Sequence, residues 1–255
     1  MKKISLLILS LLLMFLTACS NYLTPFFEKE KLETKLLPSD ENHYFDWNIW
    51  SVGRIDGTTR RGEQQFELEI PEDCIIVGPD AFADLENLRS ITFLGADTLL
   101  SPGLFRNCTN LVSVKLPSNC SEIPESCFEG CISLREIIIP SSARKICIRA
   151  FRGCISLQRI HFNTGITSIE DFAFEDCDSL REIVFPESLQ ILGSAVIASC
   201  DSMELVYIPR NLACANNDCI DPGRNIMVFV KKDSFFDKHI LNSLVNFERI
   251  YTAYY

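Results

Sequence analysis

The sequence predicts an α/β repeat solenoid: 23-residue units, each giving one short strand to a single parallel β-sheet face and closing through a short helical or 3-10 return, with a cap at both ends. Leu134 to Ser156 (LREIIIPSSARKICIRAFRGCIS) and Leu157 to Ser179 (LQRIHFNTGITSIEDFAFEDCDS) follow one template. Stepping by 23 in both directions aligns Gln65, Leu88, Leu111, Leu134, Leu157, Leu180 and Met203 without a gap, the mark of a repeat architecture. Apolar residues fall in fixed columns of that frame. A lone unit cannot bury enough apolar surface to offset the entropy of ordering its backbone, so the units must stack.

The strand comes first in each unit. Position 4 holds Leu68, Ile91, Val114, Ile137, Ile160, Ile183 and Val206, and position 6 holds Ile70, Phe93, Leu116, Ile139, Phe162, Phe185 and Ile208. This is period-two alternation of strand-forming residues. Position 7 is Pro71, Pro117, Pro140, Pro186 or Pro209 in most units, and a residue without an N–H ends a ladder. The return is read from position 13 (Val77, Leu100, Ile123, Ile146, Ile169, Leu192), position 17 (Ala81, Ala150, Ala173), position 18 (Phe82, Phe105, Phe128, Phe151, Phe174) and position 21 (Cys108, Cys131, Cys154, Cys177, Cys200). Spacing of 13, 17 and 21 suits one face of a helical turn.

The flanks divide the rest. Lys2 and Lys3 precede an apolar run from Ile4 to Leu16, too short to span a bilayer and laid out as a signal peptide. The run ends in Leu16-Thr17-Ala18-Cys19, which resembles the lipobox of bacterial lipoproteins. That resemblance makes residues 1–18 the leader and Cys19 the lipidation site, against the alternative of ordinary secretory cleavage near Ala18. Diacylation with an N-acyl chain would exceed the two signals that stable anchoring needs. Residues 19–41 read as a tether and 42–64 as an N-terminal cap carrying Tyr44, Phe45, Trp47 and Trp50. Asp56-Gly57 is read as the turn of a hairpin between Ser51–Ile55 and Gln65–Leu68. The tryptophans are read as covering the first rung, with an aromatic sugar platform as the alternative. Residues 65–225 are the seven units, the last of which departs from the template at Asn216 to Gly223, and residues 226–255 form a C-terminal cap.

Composition excludes some functions. The formal net charge is −10, and loss of Lys2 and Lys3 with the leader makes it more negative, which opposes a phosphate backbone and argues against nucleic acid. Of the 12 cysteines, the five at position 21 project parallel Cβ vectors, a poor disulfide geometry. They read as buried apolar groups with weak S–H donors to the neighbouring turn. Cys127 and Cys219 share position 17, whereas Cys74, Cys120, Cys147 and Cys214 lie outside these columns. Cys214 and Cys219 are the candidate local disulfide. No zinc spacing is present, and no cofactor is called for. His43, His161 and His239 are too far apart along the array for a triad, so no catalytic site and no enzyme is expected.

The template LxxIxIPxxxxxIxxxAFxxCxx resembles the BspA-like class of bacterial leucine-rich repeats over about two thirds of the chain, and Ile226 to Ile250 resembles that family's closing cap. The resemblance implies an exported or surface-displayed binding protein in contact with host or neighbouring-cell molecules. Together with the lipobox resemblance at Cys19, it implies a cell-envelope location, anchored by lipid, at the outer membrane or cell surface in preference to facing the periplasm. With positions 4 and 6 inward, positions 3 and 5 face out along the strand surface where repeat arrays bind. The candidate protein-binding stripe is Ile138, His161, Val184 and Tyr207 beside a Glu136, Arg159, Glu182 charge ladder. The alternatives are charges that merely satisfy one another, and an envelope scaffold lipoprotein with no adhesive role.

Overall fold

The computed structural model describes residues 44–47, 54–216, 218–220, 226–240 and 250–254. The leader, Cys19, the tether and Trp50 lie outside the described residues. In chain order the elements are β1 (Phe45–Trp47), β2 (Arg54–Thr58), α1 (Arg60–Glu63), β3 (Glu67–Ile70), β4 (Ile76–Val77), β5 (Ser90–Phe93), β6 (Ser113–Lys115), β7 (Glu122–Ile123), β8 (Glu136–Ile138), β9 (Lys145–Ile146), β10 (Arg159–His161), β11 (Ser168–Ile169), β12 (Glu182–Val184), β13 (Ile191–Leu192), β14 (Leu205–Tyr207), β15 (Cys214–Ala215), β16 (Ile226–Val230), α2 (Phe235–His239) and β17 (Ile250–Tyr254).

These elements build a parallel β-solenoid of about seven 23-residue turns. Positions 3 to 5 form the expected strand column, in hydrogen-bonded groups β3-β5-β6, β8-β10 and β12-β14-β16-β17. Pairing is in register from rung to rung, as in Glu136 with Arg159 and Ile138 with His161. Ile137, Ile139, Ile183, Phe185, Val206 and Ile208 are buried and Val114, Ile160 and Phe162 half-buried, so the predicted columns point inward, with β6 and β10 less covered. Where position 7 is Pro71, Pro117, Pro140 or Pro186, its carbonyl accepts from the position-10 N–H, which turns the chain at the strand exit. Burying this column in register makes a one-residue slip costly, since it would expose every inward side chain.

The return is not helical. The two described helices, α1 and α2, lie outside residues 65–216. Position 12–13 instead forms a second parallel sheet, β15-β13-β11-β9-β7, with β4 bridging to Leu99 and pairing with β2. The segment after it is a run of turns. Positions 16 and 20 carry positive φ in all six of the first rungs, as at Arg149 (55°) and Gly153 (70°) or Phe172 (60°) and Asp176 (58°). Two left-handed residues four apart cannot belong to an α-helix. This twist frees alternate N–H groups to point along the stack. Those of positions 16, 18 and 20 reach carbonyls of the next rung, as in Arg149 to Asp171, Phe151 to Ala173 and Gly153 to Glu175 at 2.8–3.1 Å.

The core follows from these turns. Phe82, Phe105, Phe128, Phe151 and Phe174 are fully buried and stack with ring centroids 5.2–5.8 Å apart, an offset separation that adds to the burial of each ring.

The ends differ from expectation in detail. Asp56 and Gly57 lie within β2 and make no turn; β2 pairs antiparallel with β1 and parallel with β4, whereas β3 pairs with β5. Asp56 accepts from Arg54 Nε within this strand, so its carboxylate serves a strand neighbour. Gly62 in α1 is required by space, because a Cβ there would sit 2.2 Å from the Tyr44 carbonyl. At the other end β16 continues the strand column in parallel register with β14, and β17 adds to β16.

Phe151→Ala is expected to lower stability by roughly 3–5 kcal/mol, and Val184→Ala by less than about 0.5 kcal/mol, measured by urea unfolding. Equal losses would contradict a core centred on the ring stack.

Candidate functional site: the outward strand face

The strand column holds the predicted stripe because alternation leaves only positions 3 and 5 outside. Glu136, Ile138, Arg159, His161, Glu182 and Val184 are exposed on β8, β10 and β12, and Tyr207 is half-buried on β14. Ile138 and Val184 retain 67% and 55% of their accessible surface, large values for aliphatic groups with no part in the core. Glu136 meets both Arg159 (3.7 Å) and His161 (3.9 Å). The ladder is only half formed, because β10 and β12 belong to separate hydrogen-bonded groups and no ion pair joins Arg159 to Glu182 among the described residues. Exposed pairs of this length contribute little stability.

Two features were missed from the sequence. A complete charge ladder stands on the turn flank at position 19, where Arg152 meets Glu129 at 3.3 Å and Glu175 at 2.6 Å. The signal in the sequence is the 23-residue spacing of Glu129, Arg152 and Glu175. The stripe also runs beyond Tyr207: Phe229 on β16 stacks on it with centroids 4.4 Å apart and planes 6° from parallel, and Met227 pairs with Leu205. The alternation in Ile226-Met-Val-Phe-Val was the available signal.

The thiols serve the stack. Cys108, Cys131, Cys154, Cys177 and Cys200 are fully buried, and each Sγ donates to the position-18 Phe carbonyl of the preceding rung at 2.9–3.3 Å. Cys74 and Cys120 share position 10 and donate within their own rungs to the Ile76 and Glu122 carbonyls. Burial pushes the Cys108 and Cys200 thiols up to about 12, so they stay protonated donors and poor nucleophiles. Cys214 is exposed on β15 while Cys219 is buried, and both are free; the structure does not bring the candidate disulfide together. His161 is on the strand face and His239 packs on Phe235 at 4.8 Å. No group of three or more His, Cys, Asp and Glu among the described residues is placed to hold a metal.

With seven in-register rungs and a buried Phe and Cys column in place, comparison with known proteins decides the family. The model of the BspA type leucine rich repeat region matches in six copies, over residues 62–146 and 121–235. The chain belongs to the BspA-type leucine-rich-repeat family. No curated protein matches it. Among solved structures it is similar to a leucine rich cell surface protein from Faecalibacterium prausnitzii, with 32% identity over 46% of this chain and 31% of that one, at a TM-score of 0.44. It also matches the T. pallidum leucine rich repeat protein, with 18% identity over 76% of this chain and 86% of that one, TM-score 0.43. A leucine-rich repeat protein from Eubacterium ventriosum matches with 16% identity over 65% of this chain and 51% of that one, TM-score 0.44. The chain spans about a third of the Faecalibacterium protein's length.

Two measurements follow. Under native conditions one described cysteine, Cys214, should react with a thiol reagent, the other ten reacting only on unfolding; rapid labelling of Cys154 or Cys177 would contradict their burial. Raising pH should also destabilise the fold. Below about pH 9 both folded and unfolded thiols are protonated, whereas between about 9 and 12 only the unfolded state loses those protons, so stability falls as pH rises. The urea midpoint should drop less steeply across this range in Cys108→Ala with Cys200→Ala than in the parent chain.

Proposed function

We propose that this chain is an exported envelope protein, lipidated at Cys19, that binds protein partners through the outward columns of its strand face. The observation that carries the reading is the exposure of Ile138 and Val184 in one column with His161 and Tyr207. Apolar anchors among charged residues suit a protein contact, and the Ile138, His161 and Val184 side chains take no part in the core. The family supports a binding role, and the Faecalibacterium relative is described as a cell surface protein. The hairpin at β1–β2 and the segment from β16 to β17 would serve as caps for the terminal rungs, as a solenoid requires. No reaction is proposed.

Tyr207→Glu with His161→Glu should abolish capture of protein partners from envelope extracts by the chain without its leader, while thermal unfolding stays cooperative and shifts only by the loss of the Tyr207–Phe229 stack. Unchanged capture would sink the strand-face reading. Cys19→Ala should abolish incorporation of labelled fatty acid; retained label would reject that anchor. Protease treatment of whole cells should cleave the chain if it faces outward, and full protection would favour an internal scaffold.

A further inference from the structure

The strand face changes character along the stack. Its outward pairs read Glu67 and Glu69 on β3, Ser90 and Thr92 on β5, Ser113 and Lys115 on β6, Glu136 and Ile138 on β8, Arg159 and His161 on β10, with Glu136 3.7 Å from Arg159, and Glu182 and Val184 on β12. On β14 and β16 both outward positions are apolar: Leu205 with Tyr207, then Met227 with Phe229. These four are half-buried because they pack on one another across the ladder, the two rings lying 4.4 Å apart. Such a patch is ordered before any partner arrives, which lowers the side-chain entropy lost on binding.

A second change occurs in the turn at the strand exit. Position 8 reads Glu72, Gly95, Ser118, Ser141, Thr164 and Glu187 through six rungs, then Arg210. Lys232 stands three residues beyond Phe229, as Arg210 stands three beyond Tyr207, so the two cations sit on adjacent turns. Both are exposed, and neither side chain forms an ion pair among the described residues; the Glu187 carboxylate beside Arg210 accepts from its backbone N–H at 3.2 Å, leaving the guanidinium for a ligand. In a chain of net charge −10 this is a local reversal, placed within about 10 Å of chain from the apolar patch.

Resting on the strand-face reading, we propose that Leu205, Tyr207, Met227 and Phe229, with Arg210 and Lys232 at their margin, dock an extended acidic-apolar protein segment. Aliphatic or aromatic side chains of that segment lie on the patch, and a carboxylate a few residues away pairs with the two cations. The opposite charge at this end provides the orientation, since a carboxylate moved toward β3 would face Glu67, Glu69 and Glu72.

The test selects a displayed library of random ten-residue peptides on the full chain, on Arg210→Glu with Lys232→Glu, and on Tyr207→Glu with His161→Glu. The parent chain should enrich peptides with Asp or Glu within four residues of Leu, Ile or Phe at least tenfold. The charge-reversed chain should instead enrich Lys or Arg beside the same apolar residues. Absence of acidic bias, bias unchanged by reversal, or no peptide enrichment with retention on phosphatidylglycerol vesicles each overturns the proposal. Enrichment lost in the Tyr207 and His161 variant but indifferent to Arg210 and Lys232 would reject the acidic segment and keep the strand-face reading. Indifference to both variants would reject both.

Discussion

The structure depends on hydrogen bonding between rungs along the turn flank. Left-handed residues at positions 16 and 20 turn the N–H groups of positions 16, 18 and 20 toward the next rung. The intervening N–H groups close local turns, as Arg152 does on the Arg149 carbonyl. Every rung thereby borrows acceptors from its neighbour, and a buried amide without one would cost about 1–3 kcal/mol. The cysteine column completes the arrangement, each S–H reaching back to a Phe carbonyl of the preceding rung. Burial keeps these thiols protonated, so a cysteine-rich core needs no cross-links to be saturated with polar contacts.

The same regularity separates stability from recognition. Inward columns are filled by residues chosen for volume and shape, and the turn flank by residues that tolerate its backbone. The strand face has only two outward residues per rung, so in the proposed reading specificity comes from how those pairs vary along the stack. Here they vary from acidic at β3, through mixed charge at β6 to β12, to apolar at β14 and β16. The Glu129, Arg152, Glu175 ladder lies on another flank, where its opposite charges are already matched to each other.

The period, the inward columns and the stripe from Glu136 to Tyr207 were legible because each rests on strict repetition or two-residue alternation. The turn flank was misread because positions 13, 17 and 21 are spaced alike in a helix and in a chain of tight turns; only the backbone dihedrals of residues such as Arg149 and Phe172 tell them apart. The second sheet was missed because two-residue strands carry no alternation. Phe229 was missed because Leu205 pairs with Met227 at a step of 22 residues, one short of the repeat. Asp56-Gly57 looked like a hairpin turn, but pairing with β1 and β4 holds it in a strand.

The central functional claim is that contacts are made by the strand face and not by the second sheet. Photo-crosslinking residues placed singly at Tyr207 and at Glu122 of β7, in the full chain expressed in cells, test it most directly. The account predicts a discrete protein adduct from position 207 and none from position 122. Adducts of equal yield from both, or from position 122 alone, would contradict it.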